Sequence, residues 1–442
     1  MAISTAVIGA GYGDEGKGLV TDFFARKFIK DGRAPLVARC NGGAQAGHTV
    51  VDGEKCHVFG HIGAGTFAGS DTYLGSQFII NPLTFEREMG DMKNFGLRPD
   101  VYASPSCRIT TIYDMALNSL AELARSQRHG SCGMGINETV ARHRSGFFLT
   151  LEMLDDVDIT WITLKRIRKE WVPVRLKELG IIFDDASDAV KAQAKIYFEM
   201  FDLDMFNMAV ELKKHSRAIQ IKDPKIFNPH CNSMIIEGAQ GLMIDEFLGE
   251  FPYVTRSVTG LPSAITTAYE CGYSTVQPVY VTRAYTTRHG AGPLEYEGEV
   301  ITDKKLYDYT NLDNKWQGAI RFAPLNLDRL QVFINADLAR GLVTAQLTGS
   351  EIDIPTMHIS CMDQLGDTVN IVMNGKLHTI ETRRLIETVE DHLNIMVMHT
   401  SYGPTASYVQ ETVPRTFVTP LQSNNQSSSY FTQKLVAVAA TN

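Results

Sequence analysis

Short runs of apolar and β-branched residues recur along the chain, and several stop at polar, glycine-rich loops. Thr5–Ile8, Pro35–Cys40, Ser233–Ile236, Val276–Thr282 and Asn394–Met398 have this form. Continuous apolar runs of this length suit strands buried on both faces. Leu19–Ile29 differs, because Leu19, Val20, Phe23, Phe24, Phe28 and Ile29 fall on one face of a helix. Further short strands are expected at Thr49–Val51, Cys56–Ile62, Thr72–Leu74 and Val101–Ala103, with helices near Pro82–Phe95 and Tyr113–Arg128. Residues 151–215 read as mostly helical. Trp316–Phe322 and Val332–Asp337 follow as late runs, the second read as a strand ending in Asp337. This alternation predicts one α/β domain over residues 1–442. It has a large, mainly parallel central sheet flanked by helices and a largely helical insertion at about 151–215. The polar stretch Gln422–Ser429 reads as a loosely ordered tail, with Lys434–Ala440 able to dock.

Composition narrows the classes. A net charge of −8 argues against broad nucleic-acid binding. The seven cysteines are scattered without a CxxC pair, so neither a zinc site nor a disulfide framework is expected, and a reducing cytoplasm fits. No apolar run approaches the ~20 residues of a membrane span. The N-terminus reads as a strand followed by glycines rather than as a signal peptide.

The chemistry begins at Gly9-Ala10-Gly11-Tyr12-Gly13-Asp14-Glu15-Gly16-Lys17-Gly18. Strand, glycine loop and helix in succession make a P-loop-like anion site, because uncovered N–H groups and the helix dipole point one way. Lys17 adds a point charge for phosphate. The spacing nearly fits a Walker loop, but Gly18 stands where a Ser or Thr belongs. It also fits a dinucleotide fingerprint, yet the second strand runs into Asn41-Gly42-Gly43 instead of an acidic residue. A second glycine loop, Asn41–Thr49, carries His48, a candidate general acid or phosphate ligand. A third, His129–Asn137, places Ser131 and Cys132 among glycines ahead of Arg142, His143 and Arg144. That loop suits a second phosphate or an exposed turn equally well. Gln240, after the strand at 233–236, has an amide that both donates and accepts, as reading a purine edge requires. Arg288 is a candidate anion contact, and Asp337 either pairs with a guanine or caps a helix.

Five stretches, in order along most of the chain, resemble the adenylosuccinate synthetase family. They are Gly13–Gly18, Ala46–Thr49, Glu237–Gly241 with Pro252–Thr255, Gly290–Pro293, and Gly403-Pro404. The resemblance implies a homodimeric ligase that joins L-aspartate to C6 of a 6-oxopurine nucleoside monophosphate, using ATP or GTP and Mg²⁺. Asp14 would take the N1 proton so that O6 attacks the γ-phosphate, and His48 would stabilise the charge that develops. The Asp14 carboxylate and the Gly47 carbonyl would hold Mg²⁺. Gly13, Glu15, Gly16, Lys17, Gly18, Asn335, Asp337, Gly403 and Pro404 would bind the triphosphate. Gln45, Ser131, Cys132, Gln240, Thr255 and His289, with Arg142 or Arg144 from the second subunit, would bind the monophosphate. Gly318 and Arg321 would meet aspartate. No nucleic acid or membrane partner is implied, and a cytoplasmic location is.

Departures cluster around the nucleotide. Tyr12 replaces a tryptophan, Leu19 a lysine, and Gln45 an asparagine. The arginine-rich loop is reduced to Gly318-Ala319-Ile320-Arg321, His289 replaces a valine, and Ile334-Asn335-Ala336-Asp337 stands for a guanine-reading strand end. This pattern resembles the phage branch, the 2-aminoadenylosuccinate synthetases, which act on dGMP. The alternatives are an enzyme acting on IMP with GTP, an unrelated phosphate-binding enzyme, and a non-catalytic nucleotide sensor. Asp14, Lys17 and His48 together disfavour the last, since a sensor needs neither base nor acid.

Overall fold

The computed structural model describes residues 3–125, 130–131, 133–182, 186–202, 204–227, 232–308, 310–311 and 318–413. Cys132, the Trp316-Gln317 pair and the tail from Gln422 lie outside the described residues. The chain divides into two compact units, Met1–Thr412 and Val413–Asn442, and the sheet and cavities belong to the first.

An eleven-stranded sheet organises that unit. Its path runs Val409–Glu411, Met396–Ser401, Thr356–Ser360, Thr275–Arg283, Ile3–Gly9, Asn232–Gly241, Ala34–Arg39, Asp71–Leu74, Val101–Ala103 and Ile219–Ile221, with Glu351–Ile352 pairing off the path. Every pairing is parallel except that of Val409–Glu411 with Met396–Ser401. The apolar runs are continuous because both faces are covered. Val7, Val37 and Ile235 pack against Val20, Phe24 and Phe28 of the helix Lys17–Lys30. Ala6, Ile8, Leu36, Ala38 and Ile236 face the other way, onto Leu261, Ala264 and Ile265 of the helix Leu261–Glu270 and onto the helix Leu327–Thr348.

Residues 151–215 carry the helices Val157–Arg166, Val172–Glu178, Asp188–Asp202 and Met205–Ser216. One expectation fails. Val332–Asp337 is not a strand; it lies inside the helix Leu327–Thr348. Its buried residues, Leu327, Leu330, Phe333, Ile334, Asp337, Gly341 and Ala345, recur at helical spacing. The Asn326 side chain caps its start by accepting from Arg329 N, and Gly349 ends it with φ 68°.

Parallel register brings the carboxyl ends of Ile3–Gly9, Asn232–Gly241 and Thr275–Arg283 side by side. Crevices for ligands open at such ends in α/β sheets.

Candidate active site

A cavity of about 480 Å³ opens there, lined in part by Tyr12, Gly13, Asp14, Gln45, Gly47 and His48. Ser131, Gln240, Thr255 and His289 line it too. Loops far apart in sequence therefore share one wall. Gln240 sits with φ 67° at the end of its strand, a strained backbone of the kind held at functional positions.

The glycine loop is built around Glu15. Its buried carboxylate accepts from Gly11 N at 3.1 Å and Gly13 N at 2.6 Å, and it pairs with Lys17 Nζ at 3.1 Å. Lys17 also donates to Gly13 O at 2.7 Å. Glu15 thus shapes the loop from within instead of facing the cavity. Gly18 has a steric reason: a Cβ there would lie 2.9 Å from Thr49 O and 3.0 Å from His48 Cβ. A Walker-type Ser or Thr does not fit.

Burial raises the Asp14 carboxyl above its ordinary range, and Glu15 adds to this while Arg283, Lys17 and His289 oppose it. A carboxylate so placed is a better base than one in water. Its backbone is fixed by Arg283, which donates to Asp14 O at 2.5 Å and pairs with Asp308 at 2.7 Å.

His48 opens the strand His48–Asp52. Its Nδ1 lies 2.5 Å from Glu237 Oε1. Glu237 Oε2 accepts from Ala64 N at 3.1 Å and faces Arg39 at 3.8 Å. Burial pushes the imidazole down to about 4, helped by Arg39 and Lys17 and opposed by Glu237. Against burial, His48, Arg39 and the Ala64 N–H hold the Glu237 carboxyl below its ordinary value. The ring is therefore neutral near pH 7, with Nδ1–H donating to Glu237. Nε2 is buried and has no protein partner among the described residues. The orienting role of Glu237 was not read from the sequence, where it counted only as part of a motif.

Gln45 offers a second unspent group: its Oε1 and Nε2 are both buried without a partner among the described residues. Ser131 Oγ donates to Asn118 Oδ1 at 2.8 Å. His289 Nε2 lies 2.8 Å from Gly318 O, so Gly318 stands one bond behind the cavity wall.

Several expected ligands are spent elsewhere. Arg142 is wholly buried. It forks onto Asp114 at 2.9 and 3.0 Å and donates to Phe147 O and Ile109 O at 2.7 Å each. It fastens two helices of its own chain. Arg144 lies on the surface, forked onto Glu246 at 2.5 and 2.8 Å. Arg288 is held by the carbonyls of Ala291, Pro293 and Tyr253 and by the face of Tyr12. Arg321 donates to Gly290 O and Gly292 O at 2.8 Å and pairs with Glu297. Asp337 is a cap: its carboxylate accepts from Leu261 N at 3.0 Å and from Tyr280 Oη at 3.0 Å. A Cβ on Gly260 would collide with it. Neither Asn335 nor Asp337 reaches the glycine loop. A strand end that does, besides that of Thr275–Arg283, is Thr356–Ser360, where Ser360 Oγ donates to Glu15 O at 2.7 Å. Ser360-Cys361-Met362-Asp363 thus follows a strand that touches the glycine loop, whereas 334–337 lies inside a helix. Gly403 and Pro404 follow the neighbouring strand Met396–Ser401.

The adenylosuccinate synthetase family model matches residues 6–311, more than half of the sequence. The chain belongs to the adenylosuccinate synthetase family. A relative so named from Borrelia duttonii is 29% identical over 441 residues, covering 90% of this chain and 95% of its own. One from Francisella philomiragia is 24% identical over 435 residues, covering 91% and 96%. Among solved structures, fully ligated adenylosuccinate synthetase from Plasmodium falciparum superposes with a TM-score of 0.67 at 17% identity, covering 93% of this chain and 100% of that one. Cyanophage S-2L succinoaminodeoxyadenylate synthetase, bound to dGMP and dATP, gives 0.56 at 14% identity, with 94% and 96% covered. Like the family, the chain is a ligase that forms a C–N bond with a nucleoside triphosphate. No described helix is long and apolar enough to cross a membrane.

Proposed function

We propose that the chain joins L-aspartate to C6 of a 6-oxopurine nucleoside monophosphate, with dGMP as the preferred substrate. The observation that carries the reading is one cavity lined both by a half-buried carboxylate, Asp14, and by an imidazole whose Nε2 has no partner among the described residues. Asp14 takes the N1 proton of the purine. O6 then bonds to the γ-phosphorus, and the bond to the leaving diphosphate breaks. His48 Nε2 meets the phosphoryl oxygens; their charge favours its protonated form, held by Glu237. The amine of aspartate then bonds to C6, phosphate departs with O6, and the amine gives up a proton. The loop of Gly13, Gly16, Lys17 and Gly18 receives the triphosphate's anionic end. Asp363, Gly403 and Pro404 are assigned to its nucleobase.

Mg²⁺ fits this donor set. The Asp14 carboxylate and Gly47 border one cavity, and burial still outweighs the neighbouring cations in raising the cost of the charge on Asp14. Carboxylate and carbonyl oxygens are the hard ligands that Mg²⁺ takes, and with phosphate oxygens the ion would offset developing negative charge.

The dGMP preference rests on Arg321. Its guanidinium is committed to Gly290, Gly292 and Glu297, so it offers nothing to a ribose 2′-hydroxyl. A site that does not bond that hydroxyl forgoes strong discrimination against deoxynucleotides. Gln45 Oε1 supplies an acceptor of the kind a 2-amino group needs. The S-2L enzyme, described with dGMP, is compatible with this. Retention of Asp14, which many members of the phage branch lack, favours a second reading, IMP with GTP. A homodimer in the cytoplasm is proposed with either. The test is phosphate release with dGMP, IMP, GMP or dIMP against ATP or GTP, with and without aspartate. Aspartate-dependent release is expected, with kcat/KM higher for dGMP than for IMP. Efficient IMP turnover with dGMP acting only as an inhibitor overturns the preference.

A further inference from the structure

The 5′-phosphate of the monophosphate needs a counter-charge, and neither Arg142 nor Arg144 lines the cavity of its own chain. Among the described residues that line the cavity, the arginines and lysines are Arg125 and Arg288. Arg288 is fully engaged by three carbonyls and an aromatic face. Arg125 differs. It ends the helix Ile112–Ala124, its side chain is 33% exposed, and one terminal nitrogen donates to Glu122. Its other two guanidinium nitrogens make no hydrogen bond to a described residue.

Asn118, Glu122 and Arg125 stand at i, i+4 and i+7, one face of that helix, and all three border the cavity. They also hold the third glycine loop. Asn118 Oδ1 accepts from Ser131 Oγ at 2.8 Å and Gly135 N at 3.1 Å, and Glu122 Oε2 accepts from Gly130 N at 3.3 Å. A second carboxylate, Glu138, borders the cavity but is neutralised by a fork from Arg175 at 2.6 and 3.1 Å. Glu122, itself buried, keeps Arg125 extended and charge-balanced without a ligand. A phosphate can then take the two remaining nitrogens in the paired geometry that a guanidinium favours.

We propose that Arg125 binds the 5′-phosphate of the purine monophosphate, and that it serves the site of its own chain. The proposal rests on the ligase reading above.

The test is calorimetry of the full chain with dGMP and deoxyguanosine, with IMP and inosine alongside. Arg125→Ala is expected to weaken the nucleotide about 10–100-fold, the effect of losing hydrogen bonds between charged groups, and to leave the nucleoside unchanged. Arg125→Lys should fall between. The KM for the triphosphate should stay within about twofold. Circular dichroism checks the fold, and Arg125→Gln keeps most of the side chain's bulk if the alanine variant unfolds. Arg125→Ala chains are then mixed with inactive Asp14→Ala chains under conditions of subunit exchange, and turnover is read at a monophosphate concentration that saturates the wild type but lies well below the weakened affinity of Arg125→Ala. A residue acting within its own chain predicts no recovery; recovered activity places it across the interface and overturns the second half of the proposal. An unchanged ratio of nucleotide to nucleoside affinity overturns the first half. Failure of the wild-type chain to bind either nucleotide overturns the ligase reading instead.

Discussion

Without ligand, His48 is a neutral ring whose orientation is set by a carboxylate behind it. Removing the ring and removing that carboxylate should differ. His48→Ala is expected to lower kcat by about 10²–10⁴-fold, the usual range for a lost general acid. Glu237→Gln keeps the shape but frees the ring to adopt the other tautomer, so kcat should fall while the affinity for monophosphate holds. Rapid-quench turnover with parallel calorimetry separates the two effects. If Glu237→Gln is kinetically silent, the 2.5 Å contact with Nδ1 has no orienting role. Arg142 makes a complementary point. It sits in the sequence near candidate phosphate loops, but its partner Asp114 is 28 residues away and joins it only in the fold. Residue type and neighbourhood foretold a cation; they did not foretell how its five N–H groups would be used.

Two elements carry tests of their own. The helix Leu261–Glu270 starts on the carboxylate of Asp337. Asp337→Ala should therefore cost about 1–3 kcal/mol, read as a lower Tm, since a buried N–H loses its acceptor. The KM for triphosphate should not move, whereas Asp363→Ala should raise it. The hairpin of His48–Asp52 and Lys55–Phe59 is anchored differently. Glu88, from the helix Pro82–Asn94, accepts from Gly60 N and His61 N at 2.8 Å and Ile62 N at 3.2 Å, just past Phe59, the residue paired with His48. Burial alone would raise this carboxyl. Its hydrogen bonds with His61 and these amides, and His57 at 3.9 Å, hold it at about 2. A carboxyl depressed in the folded state stabilises it above the unfolded value and loses that contribution as it is protonated. The contribution, on the order of 3 kcal/mol, should therefore vanish as pH falls from about 4.5 to about 2. Acid titrations of wild type and Glu88→Gln, followed by circular dichroism, should converge across that window. The same elements show what was legible. Buried parallel strands announced themselves as unbroken apolar runs. Val332–Asp337 imitated one because Val332-Phe333-Ile334 is a β-branched and aromatic stretch. Its caps, Asn326 and Gly349, were already in the sequence, and together with the spacing of Leu327, Leu330 and Ile334 they specify a helix.

At the scale of the molecule, the cavity is assembled from the ends of strands that lie far apart along the chain, so ligand binding should brace the sheet as a whole. Saturation at about 100 times Kd should add about 2.7 kcal/mol to global stability, visible as a Tm rise with dGMP and a non-hydrolysable triphosphate together. An unchanged Tm at saturation would mean that the loops close without coupling to the sheet. The strand order also governs how the chain comes into being. Ile3–Gly9 is synthesised well before both of its neighbours, Asn232–Gly241 and Thr275–Arg283. At about 5–20 residues per second, the first strand waits on the order of ten to fifty seconds before either ladder can form. Throughout that interval an apolar segment with unpaired N–H and C=O groups is open to association with other nascent chains. Yield of soluble protein should accordingly depend on synthesis rate and on holding chaperones more than the finished fold's stability would suggest.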